Sequence, residues 1–305
     1  MSVDTLQANI RKLKNPTALG LDLQADLIPR PILDAAIKDQ GRTPEALASA
    51  FMTYGEALLD RLREVIPAVK LNSAYFEAMG EAGFQTMRRL CCRAKEMGYF
   101  VILETMRSDV EDAAALCAQT YLGSLSIDGE AVSLFDADAV CINAFTGSDG
   151  IRPYMPYCKD QDKSIFILAK TSNKSSREVQ DLISGDRVIH TVMTDLAMRW
   201  STDLFAQSGY SEIGVVVGAT HPTVLRQMRE IYDRLFFLVP GYGMQGGTAK
   251  DVQYAFDRFG HGAVIASSRS LLGAWKKTES DDYLASVYRA ALKMREDISR
   301  YVTVI

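Results

Sequence analysis

Four charged side chains in this sequence stand directly after short apolar runs: Asp22 after TALGL, Lys70 after IPAV, Glu104 after YFVIL and Lys170 after IFILA. The end of a buried strand is ordinarily apolar, and a charge placed there is costly unless it is paired. One such residue could be a structural ion pair, but the same habit at four runs argues for groups gathered at one rim. Carboxylates and ammonium groups brought together in this way can orient a polar ligand and hold or move a proton. On the third run Ile102, Glu104 and Met106 share a face by strand alternation, so Met106 should point where Glu104 points and Arg107 should point away. Asp109 follows on the loop, and Thr171, Ser172 and Asn173 follow Lys170.

A second constellation lies near the C-terminal end. The segment VPGYGMQGG, residues 239–247, places Gly241, Gly243, Gly246 and Gly247 around Gln245. Glycines at this density let backbone N–H groups converge on an anion, although a plain tight turn has the same composition. Arg269 ends the next apolar run, ASSR, with a guanidinium suited to bidentate phosphate contact. Together the two segments predict a phosphate site.

The elements that must position these groups are eight apolar runs, 17–22, 66–70, 99–104, 139–142, 165–170, 213–217, 236–239 and 263–267. Helical stretches separate most of them. Residues 81–97 put Phe84, Met87, Leu90, Cys91 and Ala94 on one face, and 224–235 do the same with Leu225, Met228 and Ile231. Strands apolar on both faces and alternating with helices imply a parallel sheet. Eight units in 305 residues, without a glycine fingerprint after the first strand, fit one (β/α)₈ TIM barrel better than an open doubly wound sheet. Residues 1–305 are expected to form a single domain, with 1–16 as a helical cap on the barrel floor and 26–63 as a helical excursion. In this architecture chemistry sits where strands end.

Composition narrows the partners. Thirty-four Lys and Arg against 38 Asp and Glu give a net charge of -4, with no basic excess to neutralise a nucleic-acid backbone. No run approaches the length of a membrane helix, and the first residues are too densely charged for a signal peptide, so a cytoplasmic protein that binds neither membrane nor nucleic acid is expected. Five cysteines at irregular spacing and three histidines predict no metal site and no disulfide framework.

The motifs, taken in order, resemble those of the orotidine 5'-phosphate decarboxylase family, in its longer bacterial form. They are Leu21-Asp22, AVKLNSAYFE at 68–77, GSDG at 147–150, KTSN at 170–173, VVGATHP at 216–222, VPGYGMQGG at 239–247 and SSR at 267–269, and the likeness runs from about Leu6 to Lys277. It departs at the third strand, where the family signature Asp-x-Lys-x-x-Asp reads Glu104-Thr105-Met106-Arg107-Ser108-Asp109. Four residues beyond the last aspartate Ala113 replaces the family's threonine.

The resemblance implies that Asp22 holds a ribose and that Lys70 bridges ribose and the Glu104 carboxylate. By the same likeness Asp109 reaches into the partner's site of a homodimer, Ser172 reads the pyrimidine edge, and Gln245, Gly246 and Arg269 hold the phosphate. No cofactor is implied. Lys70, Glu104, Met106 and Asp109 fill the catalytic positions, and the lysine that would stabilise the carbanion and deliver the proton is Met106. The expectation is a barrel that binds a pyrimidine nucleotide or related phosphate ester, with decarboxylation lost or severely impaired. The alternatives are a working decarboxylase producing uridine 5'-phosphate, and an altered lyase or hydrolase using Glu104 and Asp109 as an acid–base pair. A homodimer through the loops after strands two to four would use Tyr75, Phe76 and Phe145 as its apolar core.

Overall fold

A computed structural model describes residues 1–277 and 282–305. Eight strands close into a parallel barrel: β1 (Thr17–Gly20), β2 (Ala68–Asn72), β3 (Phe100–Glu104), β4 (Ala139–Ile142), β5 (Ser164–Lys170), β6 (Ile213–Val217), β7 (Phe237–Pro240) and β8 (Ala263–Ser267). Each strand pairs with its sequence neighbours, and β8 returns to β1 with Thr17 opposite Ile265. This is the expected TIM barrel. β4, β6 and β8 match the apolar runs, and the other five strands begin or end one or two residues away.

The barrel has two apolar layers. Leu19, Val69, Leu103, Ile142, Ile167 and Val215 face outward under the helices. Ala68, Phe100, Ile102, Cys141, Phe166, Phe236 and Val264 fill the interior, where the rings of Phe166 and Phe236 meet edge to face at 6.4 Å. Helix Ser2–Leu13 closes the floor by inserting Val3, Leu6 and Ile10 into the inner layer. Helices Arg30–Gln40 and Pro44–Leu62 form the excursion between β1 and β2; Thr43 caps the second, its hydroxyl oxygen accepting from the Ala46 N–H at 3.2 Å.

Inward alternation carries Lys70, Asn72 and Glu104 from the filled interior up to the open rim. The rule fails on β5. Pairing with β6 runs regularly to Leu168 opposite Val216, then skips so that Val217 faces Lys170. The irregularity turns Lys170 away from the rim, where its ammonium is buried against Asp181 at 2.7 Å. Lys170 is therefore a structural ion pair and not a member of the rim constellation expected from sequence.

Two antiparallel hairpins, Ser124–Ile127 with Glu130–Ser133 and Ile183–Ser184 with Arg187–Val188, extend from the barrel. Among the described residues no helix is long and apolar enough to cross a membrane, and no three His, Cys, Asp or Glu side chains converge as metal ligands would.

Candidate active site

A cavity of about 230 Å³ opens at the C-terminal rim, lined by residues from the ends of β1, β2, β3, β5, β6, β7 and β8. Its most buried polar part is a triad. The Lys70 ammonium donates to Asp22 Oδ1 at 3.3 Å and to Glu104 Oε2, and only a few per cent of the lysine side chain is exposed. Asn72 Nδ2 donates to the same Glu104 oxygen at 3.0 Å, while Asn72 Oδ1 accepts from the Ala74 N–H at 3.1 Å. The carboxylate of Glu104 is thus fixed from two sides by neighbours on β2, where Asn72 is in register with Glu104.

The electrostatics of the triad follow from burial and charge. Burial opposes the charged form of Lys70, yet two adjacent carboxylates outweigh it and hold the ammonium above its usual range. Asp22 is pushed up, chiefly by burial; Lys70 opposes that rise and Glu104 adds to it. Two carboxylates share one cation.

Met106 lines the cavity beside this triad, as strand alternation predicts, but its own backbone has left strand geometry. It sits at φ 52°, a left-handed conformation that an unbranched non-glycine residue adopts at a cost, with its N–H donating to Cys141 O at 3.0 Å. Arg107 turns away, as expected, and its Nε donates to Asp109 Oδ2 at 2.9 Å. That bond holds the Asp109 carboxyl below its usual range. Asp109 also accepts from Cys117 Sγ at 3.4 Å and does not line the cavity of its own chain. Glu104 and Asp109 consequently do not form an acid–base pair within one chain.

Across the cavity Ser172 is held by its backbone. Thr220 Oγ1 donates to Ser172 O at 3.0 Å, and His221 Nε2 lies 3.0 Å from Thr171 O. Gly218 and Gly241 press on it so closely that a Cβ on either would come within 2.6 and 2.9 Å of Ser172 atoms, and Gly241 also needs its φ of 98°. The glycine-rich loop supplies Pro240, Gly241, Tyr242, Met244 and Gln245 to the lining.

Gly246 is not among the cavity residues. Its N–H donates to Gly243 O at 2.9 Å, and those of Gly243 and Gly247 are likewise spent on loop carbonyls, so these glycines shape the turn instead of pointing donors at a ligand. Arg269 lines the cavity with an exposed guanidinium that has no acidic partner among the described residues.

Asn72 and Tyr75 belong to the lining and were not singled out from sequence as site residues. Asn72 was recoverable only through its register with Glu104, because an amide at a strand end is unremarkable in one dimension. Phe76 corrects the expected interface. It is fully buried against Phe51, with ring centroids 6.3 Å apart, whereas Tyr75 is half-buried in the cavity lining and Phe145 is 84% exposed.

Comparison with known proteins agrees with this geometry. Residues 54–280 match the model of the orotidine 5'-phosphate decarboxylase / HUMPS family. The orotidine 5'-phosphate decarboxylase of Caldicellulosiruptor bescii is 31% identical over 300 residues, covering 98% of both chains. That of Rhodopirellula baltica is 31% identical over 299 residues, covering 96% of this chain and 97% of its own. Leishmania donovani UMP synthase superimposes with a TM-score of 0.73 at 28% identity, covering 97% of this chain and 56% of that one. With a closed eight-stranded barrel, a cavity at its C-terminal rim and likeness to two orotidine 5'-phosphate decarboxylases over nearly their whole length, the chain belongs to the orotidine 5'-phosphate decarboxylase / HUMPS family.

Proposed function

We propose that the chain is a single-domain, cytoplasmic, homodimeric member of the family that binds a pyrimidine ribonucleoside 5'-phosphate and decarboxylates orotidine 5'-phosphate very slowly. Asp22 and Lys70 take the ribose hydroxyls, Ser172 reads the edge of the ring, and Gln245 with Arg269 takes the phosphate. Asp109 precedes the exposed Val110, and Thr146, the neighbour of exposed Phe145, donates to the Asp109 carbonyl at 3.3 Å, which suits a residue that serves a neighbouring subunit.

The observation that carries the impaired chemistry is Met106 in the cavity wall beside a triad whose one ammonium is already shared by two carboxylates. Decarboxylation leaves an electron pair on the ring carbon, which must be stabilised and then protonated. A thioether supplies neither charge nor proton. A unit charge about 4 Å from that carbon at an effective dielectric near 20 is worth roughly 4 kcal/mol, or about three powers of ten in rate. Loss of the general acid removes roughly a further 10² to 10⁴ where the two effects separate. Lys70 could replace the missing lysine only by leaving Asp22 and Glu104, and Arg107 is held by Asp109 on the far side of the strand.

Binding is tested by calorimetry with uridine 5'-phosphate and uridine. The nucleotide should bind measurably and the nucleoside far more weakly, because charge-assisted contacts to Arg269 supply much of the affinity. Equal affinities would contradict the phosphate assignment.

A further inference from the structure

We propose that the cavity selects a nucleotide that is uncharged or cationic where it meets Glu104 and Met106, and rejects one that carries a carboxylate there. The inference rests on the pyrimidine-nucleotide assignment above and goes beyond it by fixing the charge of the preferred ligand at one edge.

Charge counting at this end of the cavity gives two carboxylates, Asp22 and Glu104, against one ammonium, Lys70, a surplus of one negative charge. The lysine is committed to both partners. Asn72 has spent one amide hydrogen on Glu104 and its carbonyl on a backbone N–H, which leaves it one neutral N–H and no charge to offer. Met106, Leu168 and Val216 complete this part of the wall and bring no charge and no N–H or O–H donor on their side chains. Arg107 is turned out to Asp109, and Arg269, the first residue of the short helix after β8, is the cation assigned above to the phosphate.

A carboxylate brought against this wall would be desolvated beside Glu104 with no uncommitted cation to offset its charge, the arrangement in which like charges repel most strongly. Burial is the chief cause of the upward displacement of the Asp22 carboxyl, and the smaller rise that Glu104 adds is the same repulsion already acting between resident groups. A ring edge bearing hydrogen or a basic substituent meets no such penalty.

Uridine 5'-phosphate and orotidine 5'-phosphate differ by one ring carboxylate and therefore isolate the effect. Calorimetric titration of the full chain should show uridine 5'-phosphate binding at least about tenfold more tightly, with mass spectrometry confirming that the titrated orotidine nucleotide is intact. Met106→Lys, which adds the missing positive charge, should move the affinity ratio at least about tenfold toward orotidine 5'-phosphate. Glu104→Gln, which removes the surplus charge without adding bulk, should move it the same way. Equal or tighter binding of orotidine 5'-phosphate by the unmodified protein would overturn the inference while leaving the nucleotide assignment intact, as would a ratio that neither variant changes. Failure of both nucleotides to bind would overturn the assignment itself and the inference with it.

Discussion

Met106 is the residue on which the chemistry turns. Its position in the cavity was legible in the sequence because β3 alternates regularly up to Glu104, and the inward face of a strand can be counted. Lys170 was misplaced by the same counting, since the skip in pairing opposite Val216 and Val217 leaves no mark in composition. Asn72 was missed for a different reason: its significance lies in lateral register with Glu104, which no linear pattern carries. Met106→Lys should restore a cation flanked by Glu104 and the Lys70 cluster and raise decarboxylation measurably above the unmodified protein. Groups acting as a unit are strongly non-additive, so Glu104→Asp combined with Met106→Lys should recover more than the single change, as read by kcat in a steady-state assay. Ala113→Thr should act on KM more than on kcat.

Among the elements, the floor helix and the glycine-rich loop make separate demands. Helix Ser2–Leu13 is tied to the barrel through Glu212, a fully buried carboxyl whose Oε2 accepts from the Val3 N–H at 3.1 Å and from Ser164 Oγ at 2.5 Å, while Oε1 has no hydrogen-bond partner among the described residues. Burial, against these two donors, pushes the carboxyl up to about 7. Because the folded value lies above the unfolded one, the folded state holds the extra proton between about pH 4.5 and 7, and stability falls as pH rises through that window. Glu212→Gln should abolish the fall and be more stable than the unmodified protein at pH 8, by an amount on the order of 3 kcal/mol, in denaturant unfolding followed across pH. In the loop, Gly241→Ala would clash with Ser172 and strain a φ of 98°, so affinity for uridine 5'-phosphate should drop by at least about tenfold with little loss of overall fold by circular dichroism. The two hairpins escaped sequence reading although one carried its signal, the Asp128-Gly129 pair with φ of 52° and 85° that favours a tight hairpin turn. Exposed strands whose hydrophobicity does not alternate are hard to distinguish from loop.

At the scale of the whole molecule the barrel was legible because all eight of its strands are short apolar runs packed on both faces, a pattern that few other architectures repeat eight times. How copies assemble was not, because an interface patch differs little in composition from other surface. Phe145, with Val110 also exposed, is the surface available for a second copy near the loops after β3 and β4. Sedimentation should give a dimer of the 33.7 kDa chain at micromolar concentration, and Phe145→Glu should shift it toward monomer. The central claim is that a member of this family with Met106 beside the Lys70 triad holds its nucleotide without efficient chemistry. Steady-state loss of orotidine 5'-phosphate with purified protein tests it most directly. The account predicts a kcat at least about three powers of ten below the ordinary enzymatic range of roughly 1 to 10³ per second. A kcat within that range would contradict it, showing either that another group supplies the charge and the proton or that Met106 does not occupy the lysine position.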